Sequence, residues 1–218
     1  HEIRTPLNSI LGFTELIETC TRHLLGDDES EFFDMVKTSG DRLLHTVHEI
    51  LEISEIEMGA YHINIKVIDL CILTSSIINR FKPMAEQKGL ILEFETTVDT
   101  ALVNVDEHGI SQSITNIVDN AIKYTEKGRV NIFLKRIAYH YTLTIQDTGI
   151  GMSEEYIEGI FSEFTQESEG YSKKFQGIGL GMAISKYHME MNNVKVDVKS
   201  KKGVGTSFLL RFNDATKA

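Results

Sequence analysis

The sequence predicts a helical hairpin, paired into a four-helix bundle in a dimer, followed by an α+β two-layer sandwich. Three observations predict it. Apolar residues recur at three-, four- and seven-residue steps over residues 1–58, the pattern of amphipathic helices. At Gly59 that pattern gives way to strand-like alternation. Beyond it, strands and helices mix without strict βαβ alternation, which sets a sheet on one side and helices on the other. The divisions are residues 1–58 for the hairpin, 59–66 for a junction, 67–214 for the second domain and 215–218 for a tail.

The first helix carries Ile3, Leu7, Ile10, Leu11, Phe13, Leu16, Ile17, Cys20 and Leu24 as its apolar stripe. Gly26-Asp27-Asp28 interrupts the stripe, and Phe32, Phe33, Val36, Leu43, Leu44, Val47, Ile50 and Leu51 resume it. Two helices across a short polar turn make an antiparallel hairpin. Both stripes are too wide for a lone hairpin to cover, so a homodimer through residues 1–58 is expected. Residues 61–67 alternate as a strand, and Asp69 caps a helix running to residue 87 and ending at Gly89. Residues 90–96 and 101–105 read as strands, 106–124 as a helix, and 130–136 with 141–147 as a strand pair. A glycine-rich loop follows, then a short helix after Ser153 and a polar stretch over 167–176. Residues 180–191 form the last helix, and 194–200 and 206–212 the closing strands.

Composition bounds the function. A chain of 218 residues with 41% apolar and 25% charged residues folds as one or two ordinary domains, not as a fibre or a disulfide scaffold. The 22 basic residues against 32 acidic ones leave a net charge of −10, which argues against nucleic acid or an anionic membrane as a broad partner. Cys20 and Cys71 have no metal spacing and read as small buried apolar groups. No apolar run reaches the ~18 residues of a membrane span, and there is no signal peptide. Without an initiator methionine, the sequence reads as a piece of a longer chain.

Three segments carry chemistry. Asn116, Asn120 and Lys123 share one face of the 106–124 helix, with Tyr124 after them. An amide oxygen suits a hard cation such as Mg²⁺, a lysine meets phosphate, and a tyrosine ring can cover a base. Asp147-Thr148-Gly149-Ile150-Gly151 leaves a strand end, where a carboxylate can accept from an exocyclic amine while Gly149 and Gly151 bend the chain around a ring. Gly177-Ile178-Gly179-Leu180-Gly181 enters a helix, where bare backbone N–H groups and the helix N-terminus favour an anion. The phosphate-loop and dinucleotide fingerprints are both absent.

Taken in order, Asn-x-x-x-Asn-x-x-Lys, Asp-x-Gly-x-Gly and Gly-x-Gly-x-Gly resemble the ATP-binding domain of sensor histidine kinases, a fold shared with gyrase, Hsp90 and MutL proteins. Phe161-Ser162-Glu163-Phe164 resembles the family's Phe-x-x-Phe box, and His1-Glu2-Ile3-Arg4-Thr5-Pro6-Leu7 its phosphoacceptor box. The resemblance implies a protein histidine kinase with ATP and Mg²⁺ as cofactors and a response-regulator receiver domain as partner. It implies His1 as phosphoacceptor, Glu2 as the carboxylate that polarises it, and Thr5 as the residue positioning water in phosphatase activity. Asn120 would hold Mg²⁺ and Asp147 would read adenine. Asn116, Lys123, Tyr124, Gly149, Gly151, Phe164, Gly177, Gly179, Leu180, Gly181 and Thr206 complete the ATP contacts, beneath a lid over 165–176. The parent protein would be a membrane-bound bacterial sensor with this fragment on its cytoplasmic side.

Four positions depart from the family pattern. Asn116 stands where the hydrolytic relatives carry a Glu, and an amide cannot serve as a general base, so transfer is expected rather than hydrolysis. Gln166 replaces a lid Arg of some kinases, leaving Lys173 or Lys174 to supply the cation. Ile178 lacks the hydroxyl common there, and Asn192-Asn193 stands where a Gly pair is frequent, a turn that Asn can still make at positive φ.

Overall fold

The computed structural model describes residues 4–21, 23, 26–166 and 178–217. They divide into two compact units, His1–Glu55 and Ile56–Ala218.

The first unit holds α1 (Arg4–Thr21) and most of α2 (Asp27–Glu57). Gly40 of α2 is buried, and a Cβ there would strike the Leu11 side chain of α1, so this glycine sets how closely the two helices approach. Ile10, Phe13 and Ile17 on α1 and Phe32, Met35 and Leu43 on α2 stay at least 49% exposed, far more apolar surface than a finished core leaves open. Among the described residues no helix is long and apolar enough to cross a membrane.

The second unit runs β1 (Ile65–Asp69), α3 (Leu70–Gln87), β2 (Ile91–Thr96), β3 (Leu102–Asp106), α4 (Glu107–Lys123), β4 (Arg129–Ile137), β5 (His140–Asp147), α5 (Glu154–Gly159), α6 (Gly181–Met191), β6 (Lys195–Lys201) and β7 (Gly205–Asn213), closing in a 3₁₀ turn. Five strands form a mixed sheet in the order β2-β4-β5-β7-β6, parallel only between β2 and β4. Period-two alternation turns Val130, Ile132 and Leu134 of β4 and Leu143 and Ile145 of β5 inward, all at most 1% exposed. They meet Ile110, Ile114 and Ile117 of α4 and Ile77 and Ile78 of α3 in one core. The opposite sheet face carries exposed Glu93, Lys135, Gln146, Lys199 and Arg211. This is the expected two-layer sandwich.

Local signals account for the element ends. Asp69 accepts from Cys71 N at 2.9 Å and caps α3, and Gly89 takes φ +71 just past its end. Ser153 caps α5 by accepting from Tyr156 N. Asn193 adopts φ +55 after α6, as its side chain allows.

One strand differs from expectation. The alternation over 61–67 predicts a strand from residue 61, but β1 begins at Ile65. The Asp106 carboxylate takes hydrogen bonds from Tyr61 Oη and Asn64 N, which holds this stretch off any ladder. β1 then pairs antiparallel with β3 in a two-stranded ribbon separate from the main sheet.

Candidate functional site

The site is built where β5 ends beside the last turn of α4. Asp147 closes β5 and is 8% exposed. Its Oδ1 accepts from Gly149 N at 2.8 Å and Thr206 N at 3.2 Å, while among the described residues no hydrogen bond reaches Oδ2. Burial raises the Asp147 pKa above the ordinary carboxylate value, and the backbone N–H groups of Gly149, Thr206 and Asp147 itself only partly offset it.

Glycines let three backbone segments converge here. A Cβ on Gly149 would strike the Tyr124 carbonyl at the end of α4, and one on Gly151 the Lys201 carbonyl of β6. One on Gly205 would strike the Asp147 carbonyl. Gly151 has φ +63 and Gly205 φ +129, both in the region that excludes most side chains. Hydrogen bonds fix the convergence: Ile150 N donates to Tyr124 O at 3.1 Å, and Gly203 N to Ile150 O at 2.6 Å. Thr206 is buried beside them, its hydroxyl 2.8 Å from Ser200 Oγ.

Asn120, Lys123 and Tyr124 are half-buried at the end of α4. The Asn120 side chain makes no hydrogen bond among the described residues, and Lys123 Nζ lies 5.1 Å from the centre of the Tyr124 ring. Asn116, one turn earlier, is differently engaged. Its Nδ2 donates to Gly181 O at 2.9 Å and Ser185 Oγ at 3.1 Å, tying α4 to the first turn of α6. Helix α6 begins at Gly181, and its N-cap Leu180, 1% exposed, supplies no side-chain hydrogen bond to the first N–H groups. That leaves the helix start chemically suited to an anion.

The Phe box lies against the same helix. Tyr187 Oη donates to Glu163 Oε1 at 3.2 Å. A Cβ on Gly179 (φ +79) would fall 2.7 Å from Thr165 O, so the segments flanking 167–177 approach closely. Phe164 is 67% exposed at φ +58.

The structure thus gathers Asn116, Asn120, Lys123, Tyr124, Asp147, Gly149, Gly151 and Thr206 in one region, with Gly179, Leu180 and Gly181 joined to it through Asn116 and α6. Thr5 lies in α1 of the other unit and is exposed. His1, Glu2, Lys174 and Gly177 fall outside the described residues, as does most of the expected lid. The open groove between α3 and β2, lined by Cys71, Ile72, Asn79 and Phe94, contains none of these residues.

These residues fit a purine nucleotide with its metal. Asp147 Oδ2 offers one acceptor in a desolvated setting, the glycines leave the room that side chains would fill, and α6 starts with no side-chain cap from Leu180. Among the described residues no cluster of three His, Cys, Asp or Glu could cage a metal by itself. One amide oxygen, that of Asn120, matches Mg²⁺, which keeps its waters and binds chiefly through substrate phosphates. Sequence reasoning missed Lys88, whose Nζ donates to the carbonyls of Ile122 and Lys123 at 2.7 and 2.8 Å and caps α4 beneath the site. It missed Ser185 and Ser200 as well. Each acts through a contact distant in sequence, and no local pattern announces that.

Residues 105–216 match the family described as histidine kinase-, DNA gyrase B- and HSP90-like ATPase, and residues 1–59 match the His Kinase A (phospho-acceptor) domain. The autoinducer 2 sensor kinase/phosphatase LuxQ of Vibrio cholerae is 33% identical over 95% of this chain, which covers 24% of that protein. Sensor histidine kinase GacS of Pseudomonas protegens is 34% identical over 98% of the chain and 24% of its own length. The chain therefore spans about a quarter of these curated relatives. The crystal structure of full-length ShkA in complex with AMPPNP superposes with a TM-score of 0.81 at 27% identity, over 99% of this chain and 45% of that one.

Proposed function

The chain belongs to the histidine kinase family, and from that premise we propose that it moves the γ-phosphoryl group of ATP onto His1 and then to an aspartate of a response-regulator receiver domain. One observation carries the choice of transfer over hydrolysis. Asn116 occupies the place of the hydrolytic base, and its amide is bonded to Gly181 O and Ser185 Oγ. It can neither take a proton from water nor swing free to orient one.

In this reading Asp147 Oδ2 accepts from the adenine amine, and the Gly149–Gly151 turn seats the ring. The N–H groups opening α6 face the phosphates, with Lys123 adding a cation. Asn120 would hold Mg²⁺ through its amide oxygen, and the metal would supply positive charge against the phosphates. His1 attacks as a neutral imidazole. A nitrogen–phosphorus bond forms, the bond from γ-phosphorus to the bridging oxygen breaks, and ADP leaves. Glu2 accepts the hydrogen bond of the other ring nitrogen and holds the proton there. Thr5, in the first turn of α1, positions water when the phosphoaspartate of the receiver is hydrolysed. The AMPPNP held by the ShkA structure supports the nucleotide half of this account.

The partners follow from the same reading. The exposed apolar stripe of α1 and α2 is covered by a second copy, so residues 1–58 make the homodimer. The receiver docks on the helical hairpin near the acceptor. The parent protein is a membrane-bound bacterial sensor with this fragment on the cytoplasmic side, in keeping with relatives that are named sensor kinases.

The test is to incubate the protein with γ-³²P ATP and Mg²⁺ while following protein-bound and released phosphate together. Transfer predicts label on protein with little free phosphate. Steady phosphate release without label would mean a gyrase-type ATPase instead. Nucleotide binding with neither label nor release would mean a regulatory module.

A further inference from the structure

We propose that Lys88 is a positioning residue for the metal-bearing phosphates: its ammonium holds the last turn of α4, and with it Asn120 and Lys123, in the geometry that receives them. Its purpose rests on the nucleotide reading of the site, and its hold on α4 rests on geometry alone.

The last carbonyls of a helix have no donor within it, and the end stays wound where other groups supply one. At the end of α4 every carbonyl from Asn120 to Tyr124 has a donor. Asn120 O accepts from Tyr124 N at 2.9 Å, and Ala121 O from Thr125 Oγ1 at 2.7 Å. Ile122 O and Lys123 O accept from Lys88 Nζ at 2.7 and 2.8 Å. Tyr124 O accepts from Ile150 N at 3.1 Å, in the turn that follows Asp147. The first two donors come from the helix end itself and the last from the turn after β5. The two bonds between them both depend on Lys88.

Lys88 is itself fixed. It is the C-cap of α3, and its N–H donates to Met84 O at 3.2 Å. Leu90 N reaches back to Ala85 O at 2.8 Å across Gly89, which takes φ +71. Ile91 N then donates to Gly128 O at 3.0 Å, just beyond α4. The half-buried lysine is therefore rooted on one helix end and bonded to another.

The held turn carries side chains of the site. Asn120, which would hold Mg²⁺, and Lys123, which would meet phosphate, both lie on it. Unwinding at Ile122 and Lys123 would move these two side chains apart. The purine side keeps its own bond, from Ile150 N to Tyr124 O. A charge serves here better than a neutral donor. A helix C-terminus bears roughly half a negative charge, and the nucleotide reading places phosphates at this end. A lysine ammonium, charged at neutral pH, offsets that field while it makes the bonds, and bonds from a charged donor are the stronger kind. Mg²⁺ is exacting about where its oxygens stand, so a displaced amide weakens the metal's share of binding more than the purine's.

The test uses Lys88→Met, which keeps the stem and removes the ammonium, beside Lys88→Arg, which keeps the charge, in the full-length protein. The probe is AMPPNP, titrated once with Mg²⁺ and once with EDTA. In Lys88→Met the affinity gained from Mg²⁺ should shrink by about tenfold or more, while affinity in EDTA stays within about threefold. The Tyr124 amide, bonded to Asn120 O, should exchange with deuterium at least about tenfold faster. Lys88→Arg should bring both readouts back to within about threefold of the wild type. Should Lys88→Met fail to fold, Lys88→Gln, a shorter neutral donor, is read in the same way. A Tyr124 amide as slow in Lys88→Met as in the wild type overturns the hold on α4. Faster exchange with the Mg²⁺ gain unchanged, or an equal loss with Mg²⁺ and in EDTA, overturns the positioning role. Lys88→Arg behaving like Lys88→Met overturns the part assigned to charge. A wild type that binds AMPPNP no better with Mg²⁺ refutes the nucleotide reading, and the exchange result still judges the hold on α4.

Discussion

Asp147 and Asp106 are both buried carboxylates, yet their surroundings drive them in opposite directions. Asp147 is raised: burial dominates over its backbone donors. Folding therefore favours its protonated form, so its contribution to stability is fully present below the unfolded pKa and is lost as pH rises through the folded one. Asp106 is lowered despite its burial, because Tyr61, Gly109 and Asn64 donate to it. Its contribution is present above the unfolded pKa and is lost as pH falls through the folded one. At neutral pH, then, Asp147 is held at a cost to the fold and Asp106 in its favour. Asp147→Asn should leave the melting temperature at neutral pH unchanged or higher, since Oδ1 can still accept from Gly149 and Thr206. The same change turns the free acceptor into a donor facing an amine, and should weaken binding of an ATP analogue by at least about 100-fold. Calorimetry on the nucleotide-free protein and a binding titration check the two halves. Asn120 gives a cleaner separation, because its side chain bonds to nothing among the described residues. Asn120→Ala should keep the melting temperature within a few degrees and reduce labelling by about 100-fold at saturating ATP. An unchanged rate and unchanged Mg²⁺ dependence would remove Asn120 as the metal ligand.

At the scale of elements, the glycines around β5, β6 and β7 decide whether the site can form. Gly151→Ala and Gly205→Ala each place a Cβ on a backbone carbonyl at positive φ. Neither neighbour can give way, and each change should cost about 3 kcal/mol or more in urea unfolding. Gly203 is the control. It also has positive φ, +78, but open space around it, so Gly203→Ala should cost only about 1 kcal/mol. These elements also show what the sequence could reveal. Asp69, Ser153 and Gly89 are local punctuation: the first two begin α3 and α5 and the third follows the end of α3, where punctuation rules say they should. Alternation located the strands of the main sheet because each has one buried and one open face. The same rule misplaced the start of β1, because alternation at Tyr61–Asn64 cannot reveal a carboxylate 42 to 45 positions away. Asn116 was legible as sharing a helix face with Asn120, but not as the tie to Gly181 and Ser185. Its spacing gave the helix face, whereas the bond depends on how α6 crosses α4.

For the whole molecule, the open question of surface is in the helical unit. Phe13 is 65% and Phe32 63% exposed, while the second unit closes its own core. Apolar surface of that extent on paired helices is buried by association. Light scattering should report about twice 24.6 kDa at micromolar concentration, and Phe13→Glu should bring the mass down to one chain. A wild type that stays monomeric would contradict the bundle. In the proposed function the first unit supplies the acceptor and the dimer, the second holds the nucleotide, and a phosphoryl group crosses from one to the other. The most direct measurement is the chemical stability of label from γ-³²P ATP on the full-length protein, beside His1→Gln. Label that is labile to acid, stable to base and absent from the variant is the predicted result. Label that survives acid, or that persists in His1→Gln, would contradict it.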